Sequence, residues 1–432
     1  MTRTSDAVPA MSRRSFTAAT AATLSATMVH SSLAATEETR ELRLGIVGSG
    51  GRGSGAINDS LSINTGVRLV AAADLYAPKC ESLWKRMREA HPDKVAANDT
   101  SYTGLDGYKR ILDDPNVDVV LITTSPGFRP AYIRDAVEAG KHVFAEKPAC
   151  VDPAGYRSCL AAHDAAVARG TAIVAGTQYR RQTNYMAAVE QIRQGAIGDV
   201  ISATGRYCGG GGIWYRPRTE DMSDAEYQMN NWYHFIWLSG DHIVEQAVHT
   251  IDTINWVMGN NPVSAYGSGG RFTRPDDSEL WDSFAIDYEY PGERFVSFKC
   301  WQTPGTMSDV SNVIHGSKGD CHIAAGSRGS WIVDRAGKLV WEAEGKIADA
   351  YKQEHKDLID SIRSGKPIVE LRQMADSSLV AVMGRMAAYT GQKVTWKFVA
   401  EESQLDLFPK NLTWDSTLPP PTVAVPGRTK LV

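Results

Sequence analysis

The chain has 432 residues, of which 43% are hydrophobic and 22% are charged, and its formal net charge is −4. This length predicts two domains of ordinary size or one large domain, with enough apolar residues for a core. The small negative charge excludes an electrostatic basis for binding nucleic acid or a membrane surface, so we expect neither a nucleic-acid partner nor stable membrane insertion.

Residues 1–35 are predicted to be a twin-arginine export signal. The motif Ser12-Arg-Arg-Ser-Phe16 precedes a weakly apolar Ala/Thr run and a small-residue segment, Ser32-Leu-Ala34. The run is too short and too polar to span a membrane. We therefore expect recognition by the twin-arginine machinery and a periplasmic location. A disordered tail, or a start at Met11, is the alternative interpretation.

The most informative motif is Gly48-x-Gly50-x-x-Gly53, which follows a predicted strand at 42–47. In a dinucleotide-binding loop, the first glycine permits a tight turn and the second lets backbone approach a pyrophosphate. The third lets the next helix pack close, with its N-terminal N–H groups facing the phosphates. Gly51 and Arg52, inside the loop, are further candidate cofactor contacts.

A second predicted strand at 67–73 leads to Asp74, about twenty residues after the glycine loop. A carboxylate at this place can accept a hydrogen bond from a ribose 2′-hydroxyl and repels the 2′-phosphate of NADP. NAD is therefore the favoured cofactor. Arg52 and Lys79 are the cations that could reach the same region and favour NADP instead.

Residues 40–178 alternate predicted strands and helices, which indicates an α/β domain with a doubly wound parallel sheet of the Rossmann type. The predicted strands are 42–47, 67–73, Val117–Thr123, His142–Ala145 and Ala172–Ala175, and the predicted helices are Tyr108–Leu112, Ala131–Ala139 and Tyr156–Arg169.

Residues 179–400 are predicted to form a substrate and oligomerisation domain, an α/β domain with a large, open, mostly antiparallel sheet. Its predicted helices are Asn184–Gln194 and Gln353–Ser364, and its predicted strands are Val200–Tyr207, Ser283–Tyr290, Phe295–Trp301, Cys321–Ile323 and Trp331–Val333. Residues 401–432 form a proline-rich tail that wraps the surface or reaches another subunit. An open sheet and a long tail favour a homodimer or homotetramer.

The tripeptide Glu146-Lys147-Pro148 follows the predicted strand His142–Ala145. Ligands of doubly wound sheets bind beyond the carboxyl ends of the strands. A lysine at this end can face the nicotinamide and the substrate, and the proline fixes its direction. Lys147 is therefore the first candidate catalytic residue, and Glu146 is a candidate cofactor contact.

With these motifs, the chain resembles the Gfo/Idh/MocA oxidoreductases. The resemblance rests on the glycine loop, Asp74, Thr123-Thr-Ser-Pro126, Ala139–Pro148 and a predicted continuous helix at Gly240–Gly259. It implies hydride transfer between a nicotinamide cofactor and a carbinol carbon of a sugar or polyol. It also implies that Thr123, Thr124 and Ser125 contact the cofactor, and that Lys147 lies beside the nicotinamide.

The family pattern includes an Asp-x-x-x-His pair in which the histidine is the acid/base, and the matching residues here are Glu245 and His249. Residues four apart share one face of a helix, so we expect the Glu245 carboxylate to orient the His249 imidazole. Glutamate replaces the usual aspartate, and Arg129 stands where many relatives have histidine. These are two departures from the family pattern.

Three further groups of residues bear on function. His242, Glu245 and His249 have a spacing that could hold a metal, but no further ligand is evident, so no metal is predicted. The six cysteines form no C-x-x-C pair, so free thiols are expected.

Flat rings and arginines suit the faces and hydroxyls of sugars. The candidate substrate contacts are Arg180, Arg181, Trp214, Trp232, Tyr233 and Asp252. Packing at an interface or in the core is the alternative for the aromatic residues.

Three functions remain open on the sequence. The first is a sugar or polyol dehydrogenase, or an oxidoreductase that retains its nucleotide and couples two sugars. The second is a redox-neutral, NAD-dependent glycosidase that oxidises the sugar ring transiently. The third is a nucleotide- or sugar-binding protein without catalysis, which the Lys147/His249 pair disfavours.

Overall fold

The computed structural model describes residues 40–325 and 329–432. The export signal predicted at 1–35 lies outside these residues. Within them, no helix combines the length and hydrophobicity needed to cross a bilayer. All six cysteines lie buried as free thiols.

The first domain is built on a parallel sheet. Its described strands are β1 (Leu42–Val47), β2 (Val67–Asp74), β3 (Ser101–Thr103), β4 (Val119–Ile122), β5 (His142–Ala145) and β6 (Ile173–Ala175). They lie in the order β3-β2-β1-β4-β5-β6, and every neighbouring pair is parallel. This is the strand order of a dinucleotide-binding fold, and it reverses direction between β1 and β4, where such folds bind their ligand. The predicted Rossmann domain is confirmed.

Helices cover both faces of this sheet, and the apolar runs that predicted the strands are buried on both sides, as parallel strands require. Leu44 and Ile46 of β1 are fully enclosed, and Trp84 fills one of the layers. The helices are α1 (Gly51–Ile63), α2 (Ala77–Ala90), α3 (Gly107–Leu112), α4 (Arg129–Glu138) and α5 (Pro153–Arg169). Helix α2 and strand β3 were not predicted.

The second domain carries a larger sheet. Its described strands are β7 (Val200–Gly209), β8 (Ser264–Gly270), β9 (Ser283–Tyr290), β10 (Arg294–Gln302), β11 (Asp309–Gly316), β12 (Gly319–Ala324), β13 (Ser330–Asp334), β14 (Leu339–Ala343) and β15 (Val394–Thr395). The order is β14-β13-β12-β11-β7-β10-β9-β8-β15. Among the described pairings of this sheet, only β7–β10 is parallel. The predicted mostly antiparallel sheet is confirmed, although β8, β11, β14 and β15 were not predicted.

The remaining helices are α6 (Thr183–Arg193), α7 (Asp224–Asn230), α8 (Ile236–Ser239), α9 (His242–Glu245), α10 (Val248–Met258), α11 (Ile347–Arg363) and α12 (Leu371–Thr390). Helices α6, α9, α10 and α12 pack against strands of the second sheet. Helix α11 returns to the first domain and packs on α1. After it, Ile173 of β6 donates to the carbonyl of Ile368 at 2.7 Å, which extends the parallel sheet by one bridge. A helix from late in the sequence therefore lies beside the glycine loop.

The segment Gly240–Gly259 is two helices, and the expectation of one continuous helix is wrong. Helix α9 ends at Glu245, where Gln246 caps it, and α10 begins at Val248. Before α9, the buried Asp241 has a φ of 75°. Its carboxylate accepts hydrogen bonds from the backbone N–H of Trp281, at 3.0 Å, and from Tyr389. These bonds hold the left-handed backbone and set the angle of α9.

The proline-rich tail wraps around its own chain, one of the two predicted outcomes. Leu407 donates its N–H to Asp152 at 2.8 Å, and Phe408 packs edge-on against Phe128. Further along, the Trp414 ring contacts the ring of Tyr76 at 5.5 Å, and Leu418 is buried. Leu418 also donates its N–H to Asp224 of the second domain at 3.1 Å, so the tail at 401–432 contacts both domains.

The glycine loop supplies a test with an internal control. A Cβ on Gly53 would overlap the carbonyl oxygen of Gly48, whereas a Cβ on Gly55 would lie 3.6 Å from the Arg52 side chain. We expect Gly53→Ala to lower the free energy of unfolding by about 1–3 kcal/mol through overpacking. Gly55→Ala, in the same helix, should raise it by roughly 0.5–1 kcal/mol. Thermal denaturation of both variants, with NADH-binding fluorescence, checks this, and equal effects would contradict the close approach.

Candidate active site

A cleft of about 460 Å³ runs between the two domains, from the end of β2 to the start of α10. All of the predicted cofactor and catalytic residues line it. They are Gly48, Gly50, Gly51, Arg52, Gly53, Asp74, Thr123, Thr124, Ser125, Glu146, Lys147, Glu245 and His249. The fold therefore brings residues that are far apart in the sequence to one surface.

The glycine loop has the geometry that a pyrophosphate needs. Gly48 has a φ of +97°, and a Cβ there would lie 2.7 Å from the backbone of Thr123. A Cβ on Gly50 would meet only open space among the described residues. Gly50 caps α1, so the first N–H groups of that helix face the cleft, where they favour an anion. The loop fits a dinucleotide.

Asp74 lies at the end of β2, beside this loop. Its carboxylate accepts from the backbone N–H of Ser49 at 2.8 Å and of Tyr76 at 3.1 Å, and Lys79 pairs with it at 3.6 Å. Each carboxylate oxygen keeps a further lone pair for a ligand hydroxyl. The geometry is that of a ribose-binding acid.

Arg52 is committed to a buried charge network instead of the ribose end. It pairs with Glu146 and, at 3.4 Å, with Glu354, while its guanidinium lies 4.6 Å from the ring centre of Tyr351. Burial opposes ionisation of Glu146, but the charges of Arg52 and Arg129 lower its pKa. Burial, and then the charge of Glu146, raises the pKa of Glu354 well above its usual value. Arg52 and Glu146 therefore carry the charges, and Glu354 favours its neutral form.

Lys147 forms an ion pair across the domain boundary. Its Nζ donates to the backbone oxygen of Glu245 at 2.5 Å and to Glu245 Oε1 at 3.1 Å. The two side chains are only 11% and 8% exposed. An ammonium has three N–H donors, so one remains for a ligand in the cleft. This arrangement can donate a hydrogen bond to a substrate oxygen.

His249 lies in the first turn of α10, with its ring 5.1 Å from the ring of Tyr179. Burial, and then the nearby charges of Lys147 and Arg52, lowers its pKa well below 6.5. The imidazole is therefore neutral at physiological pH and can accept a proton. No hydrogen bond joins Glu245 to His249 in the part of the chain that the structure describes. The predicted orienting bond is wrong, because the break between α9 and α10 turns the Glu245 carboxylate toward Lys147 and Gln246.

Arg129 holds two loops of the cleft together. It is buried, and it donates to the Thr124 carbonyl at 2.6 and 3.0 Å and to the Pro148 carbonyl at 2.8 Å. Burial lowers its pKa to about 10, so it remains charged. The residue fixes the loop after β4 against the turn that carries Lys147.

Three predicted substrate residues are used within the protein itself, and their assignment is corrected. Arg180 makes two bonds to Asp252, at 2.8 and 2.9 Å, and Arg181 pairs with Asp357 and Glu370. Neither arginine lines the cleft, and neither does Asp252. Strong internal partners outcompete a substrate hydroxyl for these charges.

The three aromatic candidates separate in space. Trp232 lines the cleft, but Tyr233 is buried behind it, with its hydroxyl 3.4 Å from His242 Nδ1. Trp214 is 43% exposed and contacts the ring of Trp232 at 5.6 Å, outside the lining. Of these three, only Trp232 stands where a sugar in this cleft could touch it, and Tyr233 has the alternative role of core packing.

His242 is likewise a core residue. Burial, and then the charge of Arg274, lowers its pKa to about 3. Within residues 40–325 and 329–432, no group of three or more His, Cys, Asp or Glu side chains has a metal-binding arrangement.

Two family models match the chain. The NAD-binding Rossmann fold of an oxidoreductase family matches residues 42–173, and the GFO/IDH/MocA C-terminal domain matches residues 185–322. The two matches follow each other in the family's order and together span more than half of the chain. The chain belongs to the Gfo/Idh/MocA oxidoreductase family.

Known proteins match most of this chain over most of their own length. Inositol 2-dehydrogenase 3 of Saccharopolyspora erythraea is 25% identical over 329 residues, which are 75% of this chain and 86% of that protein. Myo-inositol 2-dehydrogenase of Lactobacillus plantarum superposes with a TM-score of 0.64 at 21% identity, over 82% of this chain and 99% of the other. Levoglucosan dehydrogenase in complex with NADH and levoglucosan gives a TM-score of 0.63 at 18% identity, over 82% of this chain and 99% of that one.

Several lining residues of this Gfo/Idh/MocA cleft were not predicted. They are polar, aromatic or thioether side chains from different elements: Gln178, Tyr179, Tyr207, Met229, Gln246 and Tyr351. Gln246 lies next to Glu245 in the motif and could have been found there. Tyr351 could not, because α11 reaches the cleft only through tertiary packing.

The environment of His249 predicts an unusual pH dependence. Because burial and two cations hold its pKa down, His249 stays unprotonated as the pH falls through 6.5. We therefore expect kcat/KM for substrate oxidation to keep its full value at pH 6.5 and to fall only at clearly lower pH. A pH–rate profile measures this. An acid limb centred near 6.5, the ordinary histidine value, would contradict the assignment of His249 as the base.

Proposed function

We propose that this protein is an NAD-dependent dehydrogenase that oxidises a carbinol carbon of a sugar or polyol. The observation that carries the proposal is one cleft that joins a glycine loop, a ribose-binding acid, a lysine with one open N–H and a neutral buried histidine. Two relatives are named inositol and levoglucosan dehydrogenases, and both names describe polyhydroxylated rings. Tyrosine and glutamine side chains in the lining suit hydroxyl groups.

The residues divide the chemistry as follows. NAD bound in the cleft supplies the hydride acceptor at its nicotinamide ring. His249 accepts the hydroxyl proton of the substrate while the carbinol carbon loses its hydride. Lys147 donates its remaining N–H to the same oxygen, which becomes a carbonyl. Glu245 holds the ammonium in place from the other domain.

Lys147→Met tests this division, with Lys141→Met as the matched control. Lys141 precedes the same strand, β5, and its ammonium is bonded to two backbone carbonyls at the other end of the sheet. We expect Lys147→Met to lower kcat about 10²–10⁴-fold, while Lys141→Met retains turnover. NADH formation with a panel of inositols and sugars is the measurement.

Removal of Lys147 leaves Glu245 as a buried unpaired charge, which costs roughly 3–5 kcal/mol. Thermal denaturation and NADH binding must therefore show that the variant is folded before its rate is interpreted. Full turnover in folded Lys147→Met would refute the mechanism. A wild-type protein that binds NADH and sugars without turnover would instead be a non-catalytic binding protein.

We propose that the cofactor is NAD and not NADP. The two cations that could serve a 2′-phosphate are each paired with a carboxylate, Lys79 with Asp74 at 3.6 Å and Arg52 with Glu146. We expect Asp74→Ala to weaken NADH binding about 10- to 100-fold, the equivalent of one hydrogen bond to a charged group. Fluorescence titration with NADH and NADPH measures both affinities. Tighter binding of NADPH by the wild-type protein would overturn this preference.

Two further proposals concern the whole molecule. Export to the periplasm is supported by the twin-arginine motif, and replacement of Arg13 and Arg14 by lysine should retain the protein in the cytoplasm in a fractionation experiment.

Assembly into a dimer or tetramer is supported by the open face of the second sheet, which exposes Tyr266 and Phe295. Light scattering measures the mass, and a monomer at micromolar concentration would exclude assembly. Retention of NAD through export is read from the nucleotide released by the denatured protein.

A further inference from the structure

A chain of hydrogen bonds crosses the cleft behind Lys147. The hydroxyl of Tyr207 donates to Gln246 Oε1 at 2.9 Å, and Gln246 Nε2 donates to Glu245 Oε2. Glu245 Oε1 then accepts from Lys147 Nζ at 3.1 Å. All four residues line the cleft. The chain therefore connects the second sheet to the lysine of the first domain.

The direction of these bonds follows from the chemistry of the groups. A carboxylate only accepts, so Gln246 must present its NH₂ group to Glu245. The amide oxygen then faces Tyr207, which must donate its proton. Burial, and then the charge of Glu245, raises the pKa of Tyr207, which keeps that proton in place. Each partner is thereby left with a single orientation.

The position of Gln246 depends on the break between the two helices. Gln246 is the residue after α9, with φ −102° and ψ −52°, and its N–H still bonds to the His242 carbonyl at 2.9 Å. Tyr207 belongs to strand β7 of the second sheet, and its hydroxyl reaches the amide oxygen of Gln246. A continuous helix would give residue 246 a different direction, so the interruption itself places the amide between the tyrosine and the carboxylate.

We propose that Gln246 and Tyr207 are positioning residues that fix the direction of the Glu245 carboxylate and so hold the Lys147 ammonium with its free N–H toward the substrate. This inference rests on the proposed function. Neither residue needs to touch the reacting atoms. The amide N–H holds one carboxylate oxygen of Glu245, and the tyrosine prevents the amide from turning over.

Gln246→Glu separates this role from simple space filling, because the two side chains have the same shape. When ionised, the introduced carboxylate repels Glu245 and has no donor. When protonated, the introduced carboxyl group offers an O–H to Glu245 and a carbonyl oxygen to Tyr207, which restores the chain of bonds. The charged and titratable groups that line the cleft with Gln246 include Arg52, Glu146, Lys147, Tyr207, Glu245, His249 and Tyr351, and the His242 ring lies 6.0 Å from the Tyr207 ring.

At pH 8 we expect kcat of Gln246→Glu to be about 10- to 100-fold lower than kcat of the wild type. The quantity to follow is the ratio of the variant kcat to the wild-type kcat. The ratio should rise toward one as the pH falls, whereas Gln246→Leu stays low at every pH. Gln194→Glu is the matched control, since Gln194 also donates to a carboxylate, Glu190, at 2.8 Å, but on the exposed surface. Its ratio should be one throughout. Tyr207→Phe should lower kcat by a smaller, pH-independent factor.

The outcomes distinguish failure of the positioning role from failure of the proposed dehydrogenase function. A pH-independent ratio for Gln246→Glu, whether near one or uniformly low, overturns the positioning role while the wild type remains an active dehydrogenase. No NAD-dependent turnover by the wild type overturns the proposed function and this inference with it. Melting temperature and NADH binding establish that each variant is folded, and if Gln246→Glu is not, a wild-type kcat in Tyr207→Phe refutes the inference.

Discussion

The ion pair between Lys147 and Glu245 is the interaction on which the site depends. It links the end of β5 in one domain to the end of α9 in the other, and both side chains are nearly buried. A buried ion pair contributes little net stability, but loss of either partner is costly, so the pair acts chiefly on geometry. It fixes two of the three ammonium donors and leaves the third for the substrate. The same ion pair therefore constrains both how the domains are oriented and where the free N–H of the lysine points.

Other buried charges surround this pair and keep the cleft electrically balanced. Arg52 with Glu146, and Arg129 bonded to backbone carbonyls, place cations near the reacting end, and these offset the carboxylates of Glu146 and Glu245. The charges of Lys147 and Arg52 also keep His249 neutral, which is the state a proton acceptor requires. The same charges that organise the loops therefore set the protonation of the base.

Local sequence patterns were sufficient to predict most of the first domain, although not helix α2 or strand β3. The Gly48–Gly53 motif, the apolar parallel strands and the turn after β5 each have a periodicity or a steric requirement that sequence displays directly, and the structure bears out the fold. Strand ends then converge at one edge for a topological reason. That is why Asp74, Lys147 and the glycines could be placed together without coordinates.

The features of the site that the sequence did not predict depend on tertiary contacts. The four-residue spacing of Glu245 and His249 assumed an unbroken helix, but the chain bends at Gln246 and the carboxylate turns away. Arg180 and Asp252 satisfy each other, a pairing that spacing across 72 residues does not reveal. Tyr351 reaches the cleft because α11 packs back on the first domain. These features depend on contacts between distant elements, where a sequence pattern carries no signal.

The most direct test of the account is a crystal structure of the protein with NADH and the best substrate from the sugar and polyol panel. The account predicts the carbinol carbon roughly 3–3.5 Å from nicotinamide C4, with its oxygen in hydrogen-bond contact with both Lys147 Nζ and the His249 ring. A nicotinamide bound outside the cleft, or a substrate oxygen that touches neither residue, would contradict it.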